Sequence, residues 1–170
     1  MPDSITLNIP IKSHLKKYLT HKFGEEHSVS KKSWFGRYLV DLLDKDYRKT
    51  KTILNESSYY TVGIPNYIFN EVGFDISNVK LKHLNDMINK VFLNDMISYI
   101  EVSVGNKLHF LNEHHNSLNK QNVQKAIKQF LDFYNINEDE LSVDTVYKSY
   151  FRNKKKDKSK NSTENKTLAS

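Results

Sequence analysis

Five side chains near the end of this 170-residue chain have the types and spacing to grip a nucleic acid. Ser142, Thr145, Ser149 and Arg152 fall at i, i+3, i+7 and i+10, with Lys148 beside them, so a helix lines them along one side. Hydroxyls exchange hydrogen bonds with phosphates and base edges, and arginine can hold guanine bidentately. Val143, Val146, Tyr147, Tyr150 and Phe151 recur at helical spacing and give the same segment an apolar face. Glu138, Asp139 and Glu140 come first and suit the positive N-terminus of a helix. Beyond Asn153 stand Lys154, Lys155, Lys156, Lys158 and Lys160, a run expected to be disordered and able to bind phosphates by counterion release. An amphipathic helix with a solvated tail has the same pattern. The two readings part at Lys148 and Arg152.

Other chemistry finds less support. The chain has no cysteine, so disulfides and thiolate metal sites are excluded. His109, Glu113, His114 and His115 form the densest histidine cluster, but no HExxH spacing exists and no metal site is expected. His14 and His21 lie two helical turns apart without a carboxylate between them and read as solvated. The sequence contains no GxxxxGK[ST], GxGxxG or GxSxG. Asp41, Asp44 and Asp46 cluster where a helix gives way to a basic linker, with nothing to gather them around a metal. No enzyme, cofactor or small-molecule substrate is expected.

The elements that position these residues follow from periodicity. Ser4 to Ile9 alternates, with Ile5, Leu7 and Ile9 on one face and Thr6 and Asn8 on the other, which predicts a half-buried strand stopped by Pro10. Ile11 to Phe23 predicts a helix that buries Ile11, Leu15, Tyr18, Leu19 and Phe23 and ends at Gly24. Ser28 or Ser30 is expected to cap a second helix reaching about Leu43, with Trp34, Phe35, Tyr38, Leu39, Leu42 and Leu43 inward. Asp44 to Ser58 reads as a connector. Then the opening pattern returns: Tyr60-Thr61-Val62-Gly63-Ile64-Pro65 matches Ile5-Thr6-Leu7-Asn8-Ile9-Pro10 in character, position by position. A short helix over Asn66 to Val72, a break at Gly73 and a long helix capped by Ser77 follow. The long helix is expected to bury Val79, Leu81, Leu84, Ile88, Val91, Phe92, Met96 and Ile100 and to end at Gly105.

Two strands, each followed by two helices, resemble a ribbon-helix-helix dimer of the Arc and MetJ kind, folded within one chain. The resemblance implies antiparallel pairing of the strands and base contacts from their outward residues, here Thr6, Asn8, Thr61 and Gly63. Asn8 then reads adenine, whereas Gly63 has no side chain to read with. The long second helix of the second unit and the linker before Tyr59 depart from that pattern. A two-stranded ribbon that only stabilises its helices is the plainer alternative.

Toward the end, Asn119 to Tyr134 predicts a helix with Val123, Ala126, Ile127, Phe130, Leu131 and Tyr134 inward, and Asn135-Ile136-Asn137 a turn into the last helix. Helix, turn and helix with a basic exit resemble small phage and mobile-element DNA-binding proteins, although the turn lacks the usual glycine. The expected fold is mostly α: a helical domain with a two-stranded β ribbon over residues 1–105, a helix-turn-helix-like unit over 106–153 and a basic tail over 154–170. Residues 1–52 carry eleven Lys/Arg against six Asp/Glu, 53–151 eight against twelve, and 152–170 seven against two. Basic ends flanking an acidic middle suit a double-stranded DNA partner, bound as a monomer or homodimer. The opening MPDSITLNIP has no charged segment leading into an apolar run, and no stretch is long enough for a membrane span, so a cytoplasmic location is expected. A phage structural or protein-interaction component whose tail touches nucleic acid is the competing class.

Overall fold

The computed structural model describes residues 4–45, 58–73, 75–110 and 120–153. Among them are six helices and a three-stranded sheet, so the fold is mostly helical. The chain forms two compact units, Met1–Leu93 and Asn94–Ser170.

The first unit is built on β1 (Ser4–Ile11), α1 (Ser13–Phe23), β2 (Glu26–Ser28), α2 (Trp34–Leu42), β3 (Ser58–Pro65), α3 (Asn66–Val72) and the first part of α4 (Asn78–Phe110). The sheet order is β1-β3-β2, with β1 antiparallel and β2 parallel to the central β3. The expected two-stranded ribbon is thus present, with a third strand added. β1 also continues through Pro10 to Ile11 instead of stopping. It is an edge strand, where a residue without an N–H costs no ladder bond on the open side. Alternation buries Ile9, Ile11, Tyr60, Val62 and Ile64, each 1% exposed or less. Tyr18 and Leu19 of α1 and Phe35 and Leu39 of α2 are buried in the same core.

Several local signals resolve differently from expectation. Gly24 does end α1, at φ 88° with its N–H bonded to Thr20. The cap of α2 is Ser33 rather than Ser28 or Ser30: its hydroxyl accepts from the Gly36 amide at 2.9 Å. Ser28 is held in β2, which leaves it no helix to cap. Gly36 packs directly on the Ser30 backbone, so any Cβ there overlaps main chain. Trp34 stays 41% exposed at the rim of this helix. His14 is buried, not solvated, with its ring 5.7 Å from that of Phe92. Asp44 pairs through its backbone with Asp75, and Gly73, at φ 90°, lies against that bridge where a side chain would strike Asp44. The rest of the expected connector, 46–57, lies outside the described residues.

Ser77 caps α4, its carbonyl bonded to the Leu81 amide at 2.8 Å. Leu84, Ile88, Phe92, Met96 and Ile100 are fully buried as expected, but Val79 is 70% exposed, sitting in the first turn before the buried stripe begins. The helix passes Gly105 and runs to Phe110. One glycine costs a helix only about 1 kcal/mol and does not by itself end it.

In the second unit, α5 (Lys120–Phe133) buries Val123, Ala126, Ile127, Phe130 and Leu131, with Tyr134 just after it. Tyr99 of α4 meets Phe130, ring centres 5.7 Å apart. The end of α5 is a Schellman motif: Ile136 N–H bonds to Leu131 and Asn135 N–H to Asp132, with Asn135 at φ 54°. Asn135 takes the left-handed position that glycine usually fills, and buried Ile136 anchors the exit. The last helix, α6, spans 143–153. Residues 138–140 form a separate turn, so α5 and α6 are joined by 134–142 rather than by the short turn expected at 135–137.

Candidate nucleic-acid interface

The ladder between β1 and β3 places the repeated hexapeptides in a particular relation. Thr6 pairs with Gly63 and Asn8 with Thr61, while Leu7 pairs with Val62. In the repeat Thr6 matches Thr61, Asn8 matches Gly63 and Leu7 matches Val62. The repeat therefore exchanges the Thr6–Gly63 pair with the Thr61–Asn8 pair, and a local two-fold axis passes through the Leu7–Val62 pair. The helices obey it too: α1, which follows β1, contacts β3, and α3, which follows β3, contacts β1.

Because paired residues in a sheet point to the same side, the ladder divides the side chains cleanly. Ile5, Leu7, Ile9, Ile11, Tyr60, Val62, Ile64 and His27 share the core face. Ser4, Thr6, Asn8, Tyr59, Thr61 and Gly63 share the outward face, joined from β2 by Glu26, opposite Thr61, and Ser28, opposite Gly63. Thr6 and Asn8 are exposed. Thr61 Oγ1 donates to Asn8 Oδ1 at 3.1 Å, which fixes the amide while its oxygen retains a second lone pair.

The core face holds this sheet from below. Tyr60 donates its hydroxyl to the Gly24 carbonyl at 2.9 Å, and burial, with Glu25 adding to it, pushes its pKa up to about 12. His27 lies between Phe23, at 4.9 Å, and Phe35, at 5.4 Å, and burial lowers its pKa. Lysines follow β1 and precede α2 in the chain. Lys12 is exposed where β1 ends, and Lys32 is exposed beside Ser33. Lys31 is drawn to Glu71 at 3.3 Å, and Arg37 donates to the Lys31 carbonyl.

On α6 the residues singled out by spacing have separate fates. Ser142 is the helix cap: its hydroxyl accepts from Thr145 N–H at 3.2 Å and lies 2.8 Å from Thr145 Oγ1. Glu138 accepts from the Val143 amide at 3.1 Å, so the acid does serve the helix N-terminus as expected. Ser149 is half-buried. Lys148 and Arg152 are exposed, one turn apart, and Thr145 is exposed before them. Val146 and Tyr150 are buried, at 1% exposure each. Lys154, Lys155, Lys156, Lys158 and Lys160 lie outside the described residues, as do Glu113, His114, His115 and the His109 side chain. Among the described residues no three metal-ligating side chains converge. None of the described helices is long and apolar enough to cross a membrane.

Sequence reasoning placed Thr6, Asn8 and Thr61 on the outward face of the strands but did not place Glu26 and Ser28 there. Three residues, Glu-His-Ser, are too few to carry a period, and β2 is specified by its pairing with β3 and by the packing of His27 between Phe23 and Phe35. No protein-family model matches the chain, and no curated protein or solved structure matches it.

Proposed function

We propose that this chain is a non-enzymatic protein that binds double-stranded DNA by laying the outward face of the β1–β3 ribbon in the major groove. The observation that carries this reading is the register centred on Leu7 and Val62, which turns a repeat into a two-fold ribbon flanked by equivalent helices. This supports the ribbon-helix-helix resemblance, in which the two strand-helix units are related by such an axis. A major groove admits such a ribbon, and an asparagine on it can hold adenine bidentately. Thr6 and Thr61 offer hydroxyl and methyl contacts to neighbouring bases. Two strand-helix units in one chain supply what a homodimer otherwise would, so one copy suffices.

Lys148 and Arg152 on α6 serve phosphates, with the lysine tail extending their reach. Ser142 and Thr145, tied to each other at the cap, contribute to the helix rather than to readout. The biological setting that fits is a cytoplasmic transcriptional regulator or a phage or mobile-element accessory factor.

A second reading is favoured by Tyr59, Tyr67 and Val79, which are 51%, 64% and 70% exposed and suit a protein partner. A salt titration of duplex binding separates the two, comparing the full chain with one ending at Asn153. Sequence preference in the truncated form supports readout by the residues before the tail, and its survival when Lys148 and Arg152 are also replaced by alanine supports the ribbon. Loss of all binding on truncation leaves a polycationic tail and favours the structural-component reading.

A further inference from the structure

We infer that Glu26 of β2 is the base-reading residue of the second half of the ribbon, taking the place left by Gly63, so that the protein recognises an asymmetric site. The inference rests on the ribbon being the element that enters the groove. Under the local two-fold axis, the counterpart of Asn8 is Gly63, which has nothing to present. That place is not empty. The Glu26 carboxylate oxygen lies 3.0 Å from where a Cβ on Gly63 would stand, closer than Ser4 Oγ at 3.5 Å. Glu26 pairs with Thr61 and lies on the same outward face as Asn8 and Thr6. It is exposed, and among the described residues no ion pair is formed with it.

The third strand thus completes the reading face that the repeat leaves open. A major groove roughly 12 Å wide admits a two-stranded ribbon, and Glu26 joins its reading face from the third strand because its carboxylate reaches over Gly63 of β3. An amide and a carboxylate read different bases. Asn8 satisfies adenine through a donor and an acceptor, whereas a carboxylate only accepts, and in the major groove its partner is the cytosine amino group. One half-site is read as adenine and the other as cytosine. A homodimeric ribbon cannot make that distinction, because its two strands are identical.

The test is selection from a pool of randomised duplexes with the full chain, followed by binding to the selected duplex and its single-base variants. Asn8→Ala should lose about tenfold in discrimination at one position, and Glu26→Gln about tenfold at a position in the other half. Glu26→Ala combined with Gly63→Asn should select adenine in both halves, since removing the carboxylate leaves a Cβ on Gly63 only ordinary contacts. If Glu26→Gln selects the original site and merely binds every duplex more tightly, the carboxylate is only a negative charge and the inference is wrong. If the unaltered chain binds no duplex, the proposed function itself fails, and this inference with it.

Discussion

The ribbon and α6 both looked like nucleic-acid surfaces in sequence, and they differ in what their polar groups are already doing. On the ribbon, the ladder between β1 and β3 needs no side chain to complete it: Thr6 is exposed, and Asn8, whose oxygen accepts from Thr61, keeps its amino group and a second lone pair for a partner. On α6, the first turn has amides that nothing in the helix can accept from, and Ser142 and Glu138 are recruited to them. The residue types that suit a phosphate or a base edge also suit a helix end. A hydroxyl at a helix start is therefore weaker evidence for recognition than the same hydroxyl mid-strand.

That contrast can be broken at its strongest point first. Gly36→Ala forces a Cβ into the Ser30 backbone and should destabilise the first unit by about 3 kcal/mol, read as a lower denaturant midpoint with duplex discrimination lost above it. Asn8→Ala should weaken binding to the preferred duplex about tenfold, or about 1.4 kcal/mol, while leaving weaker, nonspecific binding unchanged, measured by fluorescence anisotropy. Lys148→Ala with Arg152→Ala should weaken all duplexes alike and lower the slope of log K against log salt by about 1.8, with preference retained. A loss of preference there would return readout to α6.

Smaller effects sharpen the other side. Ser142→Ala should cost about 1 kcal/mol in stability without changing preference, as removal of a cap does. Tyr60 provides a pH test. Its folded pKa, about 12, exceeds the ordinary tyrosine value of 10.0, so the folded state holds the phenolic proton more tightly. This contribution is intact below pH about 10 and is lost as pH rises toward about 12. Denaturant unfolding across that range should show a decline that Tyr60→Phe reduces.

How far these regions were legible in the sequence follows from what specifies each element. β1, β3 and α5 carry regular apolar periods, and the residues expected inward in α5 are the ones found buried. Alternation marks each hexapeptide as a strand but does not fix whether the two meet; their antiparallel pairing was implied only by the ribbon-helix-helix resemblance, and the ladder supplies it. What escaped notice was set by contacts distant in sequence. β2 exists because β3 offers it an edge, and His14 is buried because Phe92 lies against it. Pro10 was misread as a stop because sequence does not reveal that β1 is an edge strand. Glu26 owes its position to the side chain missing from Gly63, a relation between two strands that sequence order does not suggest.

The most direct test of the central claim is anisotropy with the selected duplex and a scrambled one, across a salt series, for the unaltered chain and a Thr6→Ala, Asn8→Ala double variant. A ribbon that reads bases predicts that the double variant loses most of its discrimination between the duplexes, keeping only the part that Glu26 supplies, with the salt slope of the unaltered chain. Full discrimination in the double variant would contradict it, and the outward face of this sheet would then have no part in choosing DNA.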